Sequence, residues 1–333
     1  MNSYDMRHDL RFELGEIVKP IEHHLKRVDD EIRRQLSTGI PILDESAYHL
    51  FERGGKKIRA SLIILSSGLA APPTDLVIEL AAAAEIVHCA SLIHDDIIDQ
   101  SSVRRGVPTV SAKWGSRVAV LTGDYMYTKA LGIAVGDQGR DVFPILVAAT
   151  SDMVKGELYQ LEYSSIDRIT KEHYLTIIEL KTARFMAACM KLGAVRGGMS
   201  PELADTLYTA GLNLGFAFQI VDDALDAAGS AAETGKDSGN DFLEGKITLP
   251  LLHLLEKSSA AERGELSSLA KNPDPARWET VRRKIRESGA LEYCHSVAES
   301  YTGEFGKHME TVPDSPYKRI ILNLAKFLVE RNY

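Results

Sequence analysis

The sequence is poor in cysteine, in β-strand pattern, in long apolar runs and in net positive charge. Three cysteines, Cys89, Cys189 and Cys294, occur in 333 residues. They are too few and too scattered for a disulfide framework or a zinc site, and a reducing, cytoplasmic setting is the simplest reading. No segment of about 5–8 residues alternates apolar and polar side chains between turn dipeptides, so convincing strands are absent. The longest uncharged stretch, Thr206 to Val221, contains Asn213 and Gln219 and falls short of the roughly 20 apolar residues that cross a bilayer. The opening MNSYDMRHDLRF has charges where a signal peptide needs an apolar run, and no transmembrane segment is expected. Lys and Arg total 39 against 47 Asp and Glu, a net charge of -8. That balance excludes non-specific nucleic-acid binding, which needs a basic field. It leaves anionic small molecules open, because a bound metal or a local basic cluster can reverse the field in one cleft.

What is present is helical periodicity. Leu76 to Ile98 reads as one long alanine-rich helix begun by Pro72, Pro73 and Thr74. Glu172 to Leu192 carries apolar residues at helical spacing, and a helix starting at Pro201 runs to about Gly229. Ile320 to Glu330 closes the chain as an amphipathic helix. The glycine-bearing segments Gly54–Gly55, Gly136–Gly139 and Gly229–Gly245 read as loops. No low-complexity tract suggests a linker, so residues 1–333 are expected to form one all-α domain.

Two carboxylate clusters stand near helix C-termini: Asp95, Asp96 and Asp99 in DDIID, and Asp222, Asp223 and Asp226 in DDALD. Residues i and i+4 share a helix face, which stacks Asp95 on Asp99 and Asp222 on Asp226. Like charges at that spacing repel, and negative charge at a helix C-terminus opposes the macrodipole, so a cation must compensate. Carboxylates one turn apart suit Mg²⁺, a hard ion held by a few carboxylates together with substrate phosphates. One such cluster would be read evenly as a solvated acidic face; two, each flanked by apolar residues, argue for a site. Cations lie nearby in sequence. Gly54-Gly55-Lys56-Lys57-Ile58-Arg59 puts three at a glycine turn entering a helix, and Arg104-Arg105 follows the first cluster. Lys181, Lys236 and Lys246 are further candidates. Acids and basic turns together imply a site for magnesium and diphosphate.

The ordered set GGKKIR, HCASLIHDDIID, RRG, GDYMYTKA, KGELYQ, ELKTA, FQIVDDALD and GKDSGNDFLEGKITLP resembles the trans-polyprenyl diphosphate synthases, the family of the farnesyl and geranylgeranyl diphosphate synthases. The likeness runs from about Phe51 to Leu254. It implies antiparallel helices around a deep central cavity, usually in a homodimer, with the two aspartate motifs facing across the mouth. It implies head-to-tail condensation of isopentenyl diphosphate with an allylic diphosphate, with Mg²⁺ (three ions per site in the family) bridging the allylic diphosphate to the aspartates. Asp95, Asp99 and Asp222 would be the ligands, with Asp96, Asp223 and Asp226 in support. Motif position assigns Lys56, Arg59, His88 and Arg105 to isopentenyl diphosphate, and Arg104, Lys181, Lys236 and Lys246 to the allylic diphosphate. Thr182 and Gln219 would present oxygen dipoles to the developing carbocation. His88, seven residues before Asp95, would otherwise read as a satisfied buried histidine. The turn departs from the family's GGKRIRP at Lys57 and Ala60, which leaves the contact made by Lys57 in question.

Ala90 and Ser91 are small where a bulky side chain in this family would block elongation, which favours a medium or long product of the heptaprenyl or octaprenyl class over a geranylgeranyl or farnesyl diphosphate synthase. Close helix packing is an equally physical reason for those small residues. A terpene synthase also ionises allylic diphosphates, but the GGKKIR turn and the Arg104-Arg105 pair favour condensation. A non-catalytic subunit of a heteromeric synthase is expected to lose aspartates, and both motifs are complete. The resemblance leaves room for a peripheral membrane contact on product release.

Overall fold

The computed structural model describes residues 13–52, 54–104, 106–136, 141–229 and 239–330. Helices are α1 (Glu22–Leu36), α2 (Pro41–Tyr48), α3 (Ile58–Gly68), α4 (Asp75–Ile98), α5 (Ser116–Gly136), α6 (Val142–Glu162), α7 (Lys171–Ile178), α8 (Arg184–Arg196), α9 (Pro201–Ala228), α10 (Leu249–Lys257), α11 (Ala260–Ala270), α12 (Pro275–Glu287), α13 (Ala290–Glu310) and α14 (Pro316–Val329). Among the described residues the strand content is one antiparallel ladder of two-residue strands, Val103–Arg104 with Val107–Pro108. The fold is all-α, as its sequence pattern predicts.

Local chemistry sets the helix ends. Ser200 caps α9 by accepting the Leu203 amide, Pro201 occupies the first turn, and Gly229 follows the last residue. A capping box opens α7, with Thr170 accepting from the His173 amide and the His173 side chain reaching back to the Thr170 amide. In α4, Ala81 to Ala84 are completely covered, and such small side chains let α3 and α5 lie close on either side. By length and composition α4 alone among the described helices could cross a membrane, yet 72% of its most apolar window is buried inside the fold. Burial by other helices explains its apolarity.

α9 packs between α8 and α13, α8 lies on α3, and α4 joins α3 to α5. One contiguous apolar cluster, from Leu14 to Val329, links these helices. α4 and α9 both end with their aspartates at the same end of the bundle, and that is what makes a site there.

The helix expected over Glu172 to Leu192 is not regular. Glu179–Ala183 is a π-turn joining α7 to α8, and such turns often mark functional positions. Glycines on two neighbours make room for it. A Cβ on Gly156 would sit 2.9 Å from Leu180 Cβ and 3.0 Å from the Lys181 nitrogen, and one on Gly215 would sit 2.4 Å from Ala183 Cα. Because the obstacle at Gly215 is backbone, Gly215→Ala is expected to cost about 1–3 kcal/mol by overpacking, read as a lower urea midpoint.

Candidate active site

Carboxylates and ammonium groups from five parts of the chain meet at one end of the bundle. Lys246 Nζ donates to Asp99 Oδ2 and to Glu244 Oε2, each at 2.7 Å. Its charge also acts on Asp95 and on Asp241. Asp241 belongs to a short turn, Asn240–Leu243, whose Asn240 and Asp241 amides donate to Asp226 at 3.2 and 3.1 Å. Lys246 and Asp241 thus connect the first aspartate set with the second. Lys181, on the π-turn, pairs with Glu157 and donates to Gln160 Oε1 at 3.2 Å, and its charge reaches Asp95.

The electrostatics are those of a site short of positive charge. Burial pushes the Asp95 carboxyl up to about 6; Glu157 and Asp99 push the same way, and Lys181 and Lys246 oppose them. Burial also raises Asp226, with Asp222 adding to it. Lys246 is held above the ordinary lysine range by Asp99 and Glu244 despite burial that pulls it down.

The six aspartates do not share one role. Asp96 and Asp223 are turned inward and covered, 1% and 5% exposed. Each follows an outward aspartate by one residue, which on a helix is about 100° of rotation. Asp96 Oδ1 accepts Arg104 Nε at 2.5 Å, and its Oδ2 is buried with no hydrogen-bond partner among the described residues. Asp223 accepts Gln219 Nε2 at 2.8 Å on one oxygen and the Tyr174 hydroxyl at 2.7 Å on the other. Thr182 donates to Gln219 Oε1 at 2.9 Å, so the two residues expected to present dipoles are in contact. Asp95 and Asp99 are half-buried and Asp222 is exposed.

The basic turn lies at the start of α3. Lys57 is left-handed (φ 45°), and its ammonium pairs with Asp29 of α1, which answers the question raised by its departure from the family pattern. Lys56 is exposed, while Arg59 lies over the Phe185 ring, 5.4 Å from its centroid. Glu85 Oε1 accepts the Ala60 amide at 3.0 Å, holding α3 against α4. His88 is half-buried on α4. Ser91 is 9% exposed and Ala90 fully covered. Arg105 and Lys236 lie outside the described residues. Glu157, Tyr174, Asp241 and Glu244 contact these side chains, and motif reading did not single them out. Glu157 lies within KGELYQ, and Asp241 and Glu244 lie within GKDSGNDFLEGKITLP, whereas the partner of Tyr174 is 49 residues away and no spacing reveals it.

The outward donor set fits a hard divalent cation: oxygens only, from carboxylates that burial and one another disfavour as bare anions. Among the described residues no three His, Cys, Asp or Glu side chains form a ready-made metal cluster, so such a cation would draw further oxygens from water or substrate.

Helical walls and two aspartate sets linked through Lys246 and the 240–243 turn agree with the prenyltransferase site that the sequence motifs led us to expect. Residues 40–287 match the polyprenyl synthetase family. The chain is 33% identical over 324 residues to a short chain isoprenyl diphosphate synthase of Methanothermobacter thermautotrophicus, covering 96% of this chain and 99% of that protein. It is 31% identical over 318 residues to a geranyl-diphosphate-specific all-trans-nonaprenyl-diphosphate synthase of Rhodobacter capsulatus, covering 95% and 97%. A polyprenyl synthase from Caulobacter crescentus CB15, solved with calcium and isoprenyl diphosphate, superposes with a TM-score of 0.90 at 33% identity, covering 96% of this chain and 98% of that one. The chain belongs to the polyprenyl synthetase family. Its activity is that of a trans-prenyl diphosphate synthase.

Proposed function

We propose that the chain is a Mg²⁺-dependent all-trans polyprenyl diphosphate synthase making a medium or long product of the heptaprenyl or octaprenyl class. It would act as a single domain, in a homodimer, in the cytoplasm. The observation that carries the reading of the site is the connection of the two aspartate sets through Lys246 and Asp241. Asp95, Asp99 and Asp222 would hold Mg²⁺, with Asp226 close by. Bound there, the metal supplies positive charge to the allylic diphosphate as a leaving group. Lys181, Lys246 and Arg104 bind that diphosphate, joined by Lys236 from its motif position; Asp96 fixes Arg104 by its Nε. Lys56, Arg59, His88 and Arg105 take isopentenyl diphosphate, which brings its double bond to the reacting carbon. The allylic C–O bond breaks, the double bond attacks the cation, and a proton leaves to pyrophosphate. Thr182 and Gln219 offer oxygen dipoles to the cation, an electrostatic stabilisation built before the reaction begins.

Three observations support the finer parts. The two relatives named above span short-chain and nonaprenyl products, so product length rests on this chain's own residues, the small Ala90 and Ser91. α5 and α6 expose Leu121 (68%), Val135 (59%), Val154 (51%), Leu158 (62%) and Leu161 (51%), an apolar face suited to a second copy of the chain. The three cysteines are free and buried, in keeping with a reducing compartment. Purified protein given Mg²⁺, an allylic primer and isopentenyl diphosphate is expected to release pyrophosphate on its own. Activity that appears only after a second polypeptide is added would favour the heteromeric-subunit reading instead.

A further inference from the structure

We propose that Tyr174 is a positioning residue for the ionisation step, acting through Asp223 on the side-chain amide of Gln219. The inference rests on the role given above to Thr182 and Gln219.

An amide presents either an oxygen or an NH₂ group to a neighbour, and only the oxygen end favours an adjacent carbocation. What decides the end is the partner on the far side. Asp223, one helical turn after Gln219, accepts its NH₂ through Oδ1. A carboxylate offers acceptors only, so this bond commits Gln219 Oε1 to the opposite direction, where Thr182 donates to it. The commitment lasts only while Asp223 itself stays fixed. Its second oxygen, Oδ2, accepts the Tyr174 hydroxyl, and Tyr174 is 2% exposed, with no room to swing. Tyr174 stands on α7, just before the π-turn that carries Thr182, while Gln219 and Asp223 stand on α9. Four side chains therefore form one directed chain, Tyr174 to Asp223, Gln219 to Asp223, and Thr182 to Gln219. Removing the phenol oxygen leaves the ring packed but lets the carboxylate turn, and the amide loses its enforced direction. Tyr174 touches no reacting atom in this arrangement, and neither diphosphate needs it for binding.

The test is a kinetic double-mutant cycle on the full-length enzyme, with Mg²⁺, an allylic diphosphate and isopentenyl diphosphate. Tyr174→Phe is expected to lower kcat by about 10- to 100-fold and to leave both KM values within about twofold. In a Gln219→Leu background the same change should cost nothing further, because the group it positions is gone. A purely structural role would give an equal loss in both backgrounds, and that result overturns the proposal, as does an unchanged kcat in Tyr174→Phe while Gln219→Leu is slow. Should Gln219→Leu itself keep full kcat, the dipole role of Gln219 falls, and the proposal with it. If Tyr174→Phe does not fold, Asp223→Asn carries the same cycle, since its amide can meet Gln219 with either an acceptor or a donor and no longer fixes which end of Gln219 turns away. Loss of kcat that vanishes with Gln219→Leu supports the proposal, and an independent loss overturns it.

Discussion

Asp95→Ala and Asp222→Ala are each expected to lower turnover by about 10²–10³-fold or more, with helical content unchanged. The size follows from what the residues face. Asp95 lies half-buried beside Asp99 and Glu157, with Lys181 and Lys246 as its cationic neighbours, and Asp222 is exposed at the other wall. Neither contributes to the apolar core, so truncation removes charge from the mouth without opening a cavity. The two effects separate in Asp95→Asn. Burial holds the native carboxyl up to about 6, so at neutral pH the folded protein carries an anion it disfavours. Replacing that anion by an amide is expected to raise the stability of the metal-free protein by an amount on the order of 1–3 kcal/mol while activity collapses. Pyrophosphate release and a thermal melt on the same preparation check both halves. Wild-type rates in either alanine variant would refute the reading of these residues as metal ligands.

The sequence carried most of the fold and the ends of the site. Long periodic segments with Pro201 and Thr74 at their starts state where α9 and α4 begin, and paired aspartates one turn apart state which face of each matters. Three features were not legible. The π-turn at Glu179–Ala183 is invisible because ELKTA continues the helical pattern; the room it needs is left by Gly156 and Gly215 on other helices. The inward turn of Asp96 and Asp223 follows from helix geometry, but their partners Arg104 and Tyr174 had to be seen. Lys57 read as one more cation for an anion, whereas its ammonium belongs to Asp29, on a helix packed beside the turn. Arg104 apart, which lies only eight residues from Asp96, the missing information is tertiary: a neighbour distant in sequence decides what a side chain is for.

Ser91→Phe is expected to cut the product distribution to its shortest members while isopentenyl diphosphate is still consumed. Ser91 stands one turn before Asp95 on the same face of α4, so a chain growing away from the aspartates passes it first. Ala90 is the less informative position. It is fully covered, as are Val87 and Ala84 further back along the helix, and a ring at Ala90 would overpack the core at a cost of about 1–3 kcal/mol or more. Ser91 keeps 9% of its surface open, and its hydroxyl is bonded to its own helix through the His88 carbonyl, so replacing it breaks no hydrogen bond between helices. Chromatography of the dephosphorylated products decides the matter. An unchanged length distribution in a folded, active Ser91→Phe enzyme would mean that the growing chain takes another path, and the assignment of Ala90 and Ser91 to product length would fall with it.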